Sequence, residues 1–224
     1  MSLQVAPSIL SADFLHLGDD IRMLNRHADI IHLDVMDGTF VPNISFGFSV
    51  IEPVLRIAEI PTDAHLMIIH PEKYIERFCR LGVTMLSFHL EAALEEGSDP
   101  AGVLRMIRSF GVRAGLAFNP GVPVEDCFPY LADCDYVLAM SVQAGFGGQK
   151  IDPNIADRVR RLKAEIRRRG LEVLVEIDGG VTVENAPALA EAGVDIFVAG
   201  STVFKAQDPP AVIRSLRAAA PAAL

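Results

Sequence analysis

Eight short runs of apolar and β-branched residues recur along the chain, and each is followed by a segment with helical periodicity. The runs read LQVAPSI, DIIHLDVM, TDAHLMI, VTMLSFHL, VRAGLAF, DYVLAMSV, LEVLVEI and DIFVAG. They return roughly every 25 to 30 residues, and no Ser/Gly-rich linker interrupts them. Eight strands, each followed by a helix, is the count of a closed (β/α)8 TIM barrel, an α/β fold. The rival, a doubly wound open sheet, would normally place a GxGxxG turn after an early strand, and none is present. The periodicity predicts helices over 71–81, 152–169 and 182–192. Pro71 and Pro153 fall in their first turns, and Thr182 ahead of Glu184 and Asn185 resembles a cap. At 224 residues the expectation is one domain spanning 1–224, with AAAPAAL (218–224) a frayed tail.

The formal charge of -9 carries no compensating basic block. The one dense cluster, RVRRLKAEIRRRG (158–170), has helical spacing and reads as a solvated helix face, so nucleic acid is not an expected partner. Three widely spaced cysteines, Cys79, Cys127 and Cys134, form neither a zinc-ribbon pattern nor an even disulfide framework, which fits a reducing, cytoplasmic setting. No apolar run approaches the length of a membrane span, and MSLQVAPSIL does not read as a signal peptide.

Within IIHLDVM, His32 and Asp34 are two residues apart, so a strand turns both to one face. In a TIM barrel, function gathers at the C-terminal strand ends, where Ser8, His32, Asp34, His65 and Asp178 all fall. Singly, each histidine reads more often as a hydrogen-bonded core residue than as a ligand, and each aspartate often as a turn former. Together, two imidazoles and two carboxylates make a four-coordinate site for Zn(II), or for Fe(II), Mn(II) or Co(II) with a substrate oxygen added. Asp34 and Asp178 lie on strands 2 and 7, one on each side of a substrate between them. That arrangement moves a proton from one face of a carbon to the other through an enediolate, which is epimerase chemistry.

Three loops are glycine-rich: GFGGQ after strand 6 (Gly145, Phe146, Gly147, Gly148), DGG after strand 7 (Gly179, Gly180) and AGS after strand 8 (Gly200, Ser201). One such pair reads as a turn, but three neighbouring loops read as a phosphate cradle of backbone N–H groups. Met36 and Met67 share the parity of Asp34 and His65 and Met140 ends strand 6, so all three face the mouth, either as ordinary core filling or as an apolar collar that keeps water from an enediolate.

The strings APSILSADF, HLDVMDGTFVPNISFG, DAHLMI, GFGGQ, EIDGG and AGSTVF stand in this order over nearly the whole chain, which therefore resembles the ribulose-phosphate 3-epimerase family. The resemblance implies a ribulose-phosphate-binding type of TIM barrel that interconverts D-ribulose 5-phosphate and D-xylulose 5-phosphate. It implies one divalent metal per subunit held by His32, Asp34, His65 and Asp178, with Asp34 and Asp178 as the acid/base pair. Ser8, His65 and the glycine-loop residues would contact substrate, the three methionines would form the collar, and the subunit would assemble as a dimer or hexamer. His89 and Glu91 match the family's HxE and are expected to support the site, and Glu176 to point inward as a hydrogen-bond partner. One departure is Gln143-Ala144, where the family usually has X-Pro before the phosphate loop; losing proline predicts a looser loop.

Three rivals remain. An epimerase of a six-carbon ketose phosphate such as allulose 6-phosphate would use the same machinery. Decarboxylase or aldolase relatives of this barrel should show DxKxxD, where this chain reads LDVMDG without a lysine. A noncatalytic sugar-phosphate-binding barrel would be expected to have lost one aspartate, and both are present.

Overall fold

A computed structural model describes residues 3–219. The first half runs β1 (Gln4–Ala6), a 3-10 turn (Ile9–Ser11), α1 (Leu17–His27), β2 (Ile31–Met36), α2 (Phe48–Ile57), β3 (Thr62–Met67), α3 (Glu72–Leu81) and β4 (Met85–His89). It continues through α4 (Leu90–Glu95), α5 (Pro100–Ser109), β5 (Arg113–Phe118), a 3-10 segment (Val124–Asp133) and β6 (Tyr136–Met140). The last third holds α6 (Ile155–Arg168), β7 (Leu174–Asp178), α7 (Ala186–Ala192), β8 (Ile196–Val198), α8 (Ser201–Phe204) and α9 (Pro209–Arg217).

All neighbouring strands are parallel, in the order β1-β8-β7-β6-β5-β4-β3-β2. The two ends of this series meet: Asp29 N–H donates to Val5 O (3.1 Å) and His32 N–H to Pro7 O (3.1 Å). Ser8 and His32 form a parallel bridge beyond them. Closure removes the sheet edges, and the eight-stranded TIM barrel expected from the alternation is what forms.

Both faces of the strands are covered, which is why β2 and β3 are buried at every position, their His, Asp and Thr residues included. Leu33, Leu66, Phe88 and Val137 point outward into the layer under the helices. Ala6, Met85, Tyr136, Leu138 and Ile196 point inward and fill the barrel. On α3, Ile75 and Phe78 are buried one turn apart, and each contributes roughly 1.5–3 kcal/mol by leaving water. Glu76 and Arg80 pair on its outer side at 2.8 Å.

Several elements differ from the periodicity. The segment after β5 is 3-10 rather than α-helical, with Pro129 inside it unable to donate to an α ladder. The cap expected near 182 is a reciprocal box: Thr182 N–H donates to Asn185 Oδ1 (2.8 Å) and Asn185 N–H to Thr182 Oγ1 (3.4 Å). The basic face of α6 is not wholly solvated. Arg160, Arg161, Arg167 and Arg168 are exposed, but Arg158 is buried over the Phe118 ring and donates to the carbonyls of Asn119 and Val122 at 2.9 Å. Of the tail expected to fray, Ala218 and Ala219 close α9 through hydrogen bonds to Arg214 O and Leu216 O, while 220–224 lie outside the described residues. Among the described residues no helix is long and apolar enough to cross a membrane.

Candidate active site

Parallel register assembles the site. It sets Ser8 beside His32, Asp34 beside His65, Met36 beside Met67 and Met140 beside Asp178, each pair on adjacent strands or their extensions. Partners in register face the same side of the sheet, so every one of these side chains is turned inward near the C-terminal rim. Ser8 is not part of β1; it lies two residues beyond it and caps the 3-10 turn by accepting from Leu10 N–H. That turn frees its hydroxyl to donate to Asp34 Oδ2 at 2.5 Å.

His32, Asp34, His65 and Asp178 each offer one ligand atom, and the four atoms lie within 4.8 Å of one another. Asp34 Oδ1 is 3.2 Å from His32 Nε2 and 3.1 Å from His65 Nδ1; Asp178 Oδ2 is 3.9 Å from His65 Nδ1. Three of the four are buried, and Asp178 is nearly so. Burial works against charge on Asp34, but the His32 and His65 imidazoles outweigh it and hold this carboxyl far below the usual range. Burial likewise opposes a charge on His32, and Asp34 and Asp63 overcome it and raise the imidazole well above its ordinary value. Asp178 is pushed up to about 7 by burial and by the charge of Asp34.

The donor set fits a divalent cation. His32 Nδ1 is 2.8 Å from Asp63 Oδ2, and Tyr136 OH donates to Asp63 Oδ1 at 2.6 Å, so the Nδ1–H of His32 is given to Asp63. His32 Nε2 then faces Asp34 Oδ1 lone pair to lone pair, and only a proton or a cation between them relieves that contact. Aspartate, histidine and a short, mixed N/O donor cluster are ligands shared by Zn(II), Fe(II), Mn(II) and Co(II).

Above this cluster opens a cavity of about 470 Å³. Met36, Met67 and Met140 line it, as do Ser8, Asp34 and Asp178. The opposite wall is made by Gly145, Phe146, Gly147, Gly148, Gly179, Gly180, Gly200 and Ser201, so every loop singled out by its glycines reaches the same cavity. His32 and His65 lie fully buried beneath it. Gly180 has φ +64, and a Cβ there would sit 2.7 Å from Ile151 N and 3.0 Å from Gln149 O, so the two loops touch backbone to backbone.

The loop is braced without the family's proline. Gln149 Nε2 donates to both Gln143 O and Phe146 O at 2.8 Å, Ala144 N–H donates to Asn119 Oδ1 at 2.9 Å, and Asn43 Nδ2 donates to Gly145 O at 3.1 Å. These side-chain hydrogen bonds tie the loop down at Gln143, Ala144, Gly145 and Phe146.

Other expectations need correction or addition. Glu176 is fully buried and inward, but among the described residues neither carboxylate oxygen has a hydrogen-bond partner; His32 Nδ1 is 3.7 Å away. Burial and the neighbouring Asp63 carboxylate push Glu176 well above the usual range, which is how a group without partners is tolerated there. His89 ends β4 with its Nε2 2.9 Å from His65 Nε2, and Glu91 follows in the first turn of α4. Asp63, Tyr136 and Asn119 were not singled out from the sequence. Asp63 carried a usable signal, since it stands two residues before His65 on β3 as His32 does before Asp34 on β2. Tyr136 and Asn119 carried none, because their partners are distant in the chain.

Comparison with known proteins agrees with this picture. Residues 4–204 match the model of the ribulose-phosphate 3 epimerase family. The chain is 44% identical over 219 residues to ribulose-phosphate 3-epimerase of Mycobacterium bovis, covering 98% of this chain and 93% of that one. It is 41% identical over 217 residues to the Bacillus subtilis ribulose-phosphate 3-epimerase, covering 96% and 98%. Among solved structures, 3-hexulose-6-phosphate synthase superposes with a TM-score of 0.66 over 98% of this chain and 100% of that one; at 21% identity the likeness is one of fold. A family match across most of the chain, relatives above 40% identity and a barrel of this topology together lead to one conclusion: the chain belongs to the ribulose-phosphate 3-epimerase family and is an isomerase.

Proposed function

We propose that this chain interconverts D-ribulose 5-phosphate and D-xylulose 5-phosphate by two-carboxylate proton transfer at C3. The observation that carries the proposal is the placement of Asp34 and Asp178 in one compact cluster with His32 and His65, on the floor of a cavity walled by glycine loops. A divalent cation held by His32, Asp34, His65 and Asp178 would stabilise the negative charge that develops on the ketose oxygens. One aspartate takes the C3 proton as a carboxylate, leaving an enediolate, and the other, as a carboxylic acid, returns a proton to the opposite face of C3. The two then stand with exchanged protonation, so the reverse reaction needs no further group.

The remaining residues bind and shield. Ser8 donates to Asp34 Oδ2 and orients that carboxylate. Ser8 lines the cavity where substrate oxygens would approach, whereas His65, expected from the sequence to contact substrate, is fully buried and does not line it; the Gly145–Gly148, Gly179–Gly180 and Gly200–Ser201 turns would offer backbone N–H groups to the phosphate. Met36, Met67 and Met140, buried at the cavity wall, exclude water without offering a proton to the enediolate.

The test is epimerisation of D-ribulose 5-phosphate by purified protein before and after chelation, with allulose 6-phosphate alongside. Pentose turnover that is lost on chelation and restored by a divalent ion, with deuterium entering C3 in D₂O, supports the reading. Turnover of the hexose alone would keep the mechanism and change the substrate. With neither sugar labelled and metal bound, the chain would be a binding barrel.

A further inference from the structure

Two groups next to the site have no part in the reaction proposed above, His89 and Glu91; His89 contacts His65 directly and Glu91 contacts His89. We propose that they are positioning residues which keep the His65 proton on Nε2 and leave Nδ1 free as the donor facing Asp34 and Asp178. This inference rests on the metal reading of the site and deepens it, by naming what selects the ligating nitrogen.

His65 and His89 meet nitrogen to nitrogen, Nε2 to Nε2 at 2.9 Å, with ring planes inclined by 22°. Two neutral imidazoles in such contact share one proton, and either ring can own it. The choice is made at the far side of His89. Its Nδ1 lies 3.3 Å from Glu91 Oε1, an acceptor with no proton to give, so Nδ1 of His89 is the protonated nitrogen. His89 Nε2 is then the acceptor, and His65 must donate its Nε2–H. Nδ1 of His65 consequently presents a lone pair, 3.1 Å from Asp34 Oδ1 and 3.9 Å from Asp178 Oδ2, where the donor atoms converge. A different proton placement is available and unproductive: Asn119 Nδ2 stands 3.5 Å from the same His89 Nδ1 and would donate to it, which would send the shared proton to His89 and put a hydrogen on His65 Nδ1.

Glu91 is held in place for this task. Its Oε1 also accepts from Asn119 N–H at 3.0 Å, and the imidazole of His89 lies wholly buried, with Phe40 packed against it at 4.8 Å between centroids. Among the described residues no carboxylate is hydrogen-bonded to His65 Nε2 directly; the relay through His89 spans the gap from β3 to the end of β4. His32 has the same arrangement in shorter form, with Asp63 taking its Nδ1–H. Carboxylate or carbonyl partners of this kind fix ring orientation and tautomer in metal-binding histidines.

The experiment titrates Mn(II) and Zn(II) into metal-free wild type, Glu91→Leu and Glu91→Gln, with thermal melting of each metal-free protein. Loss of the acceptor in Glu91→Leu is expected to weaken ion binding about 10- to 100-fold, with turnover recovering at saturating metal. Glu91→Gln keeps an accepting Oε1 and is expected to retain most of the affinity. In ¹⁵N-histidine spectra of the zinc-loaded wild type, His65 is expected to carry its proton on Nε2. Unchanged ion affinity in Glu91→Leu with a lowered melting temperature would make Glu91 merely structural and overturn the proposal while leaving the metal site standing. A proton on His65 Nδ1 in the loaded protein would overturn it as well. Wild type that binds no ion at all would remove the metal reading and this inference with it.

Discussion

His32 Nε2 lies 3.2 Å from Asp34 Oδ1, and both side chains leave the same strand two residues apart. The pair explains why a strand buried at every position carries an acid and an imidazole: each compensates the other, and neighbouring strands supply the rest. Asp63 accepts the Nδ1–H of His32 and Ser8 donates to Asp34 Oδ2, while His65 Nδ1 stands 3.1 Å from Asp34 Oδ1.

Asp178→Asn is expected to lower kcat by about 10²- to 10⁴-fold while leaving the barrel folded, because an amide cannot exchange the C3 proton. A coupled assay for xylulose 5-phosphate together with circular dichroism checks it; near-wild-type kcat would remove Asp178 from the acid/base role.

The collar separates polarity from size. Met67 is 1% exposed and lines the cavity, so Met67→Leu keeps an apolar wall and is expected to cost about 1.5 kcal/mol or less, with activity largely retained. Met67→Glu brings a third carboxylate to the wall and is expected to abolish turnover. Equal steady-state rates for the two variants would show that Met67 does not face the substrate.

Gly180 has no room for a side chain. Gly180→Ala forces an L residue into φ +64 and a Cβ against Ile151 N, a strain of about 1–3 kcal/mol, and it pushes on the turn that closes the glycine wall. The expected result is a lower melting temperature and a raised KM for the sugar phosphate, read by thermal denaturation and by initial rates.

Tyr136→Phe removes the hydroxyl that donates to Asp63 and leaves a buried carboxylate oxygen without a donor, at a cost of about 1–3 kcal/mol. Gly115 opposite makes room for that ring, since a Cβ there would collide with it, so Phe fits sterically and the effect isolates the hydrogen bond. Chemical denaturation measures the loss, and an unchanged midpoint would show that Asp63 is satisfied by His32 alone.

The three cysteines are free, and burial raises each thiol, Cys79 to about 11 and Cys127 and Cys134 higher still. At neutral pH a thiol-specific reagent is therefore expected to react slowly with the folded protein, to leave activity intact, and to count three thiols after denaturation. Rapid modification with loss of turnover would contradict it.

The candidate site was legible where its chemistry follows strand parity and was silent where it follows neighbours across the barrel. His32, Asp34 and His65 are visible because a strand turns alternate residues to one face, and the glycine loops because loops after barrel strands share one rim. The pairings of Asp63 with His32 and Tyr136, of His65 with His89 and of Glu91 with Asn119 join residues 24 to 73 positions apart, and no local pattern encodes such pairings even where the residues themselves stand out. The 3-10 segment at Val124–Asp133 was missed for a smaller reason: its apolar spacing suits an α-helix, but Pro129 withholds a donor.

By itself the sequence determined the alternation of eight strands with helical segments, the inward parity of His32, Asp34 and His65, and the glycine content of three loops, because periodicity and backbone freedom are local properties of the chain. Only the tertiary structure decided how the barrel closes, with His32 bonded to Pro7 and bridged to Ser8, and in which register the strands pair. Register is a long-range choice made by packing both faces of every strand at once, and a shift of one residue would turn each of these side chains out of the mouth.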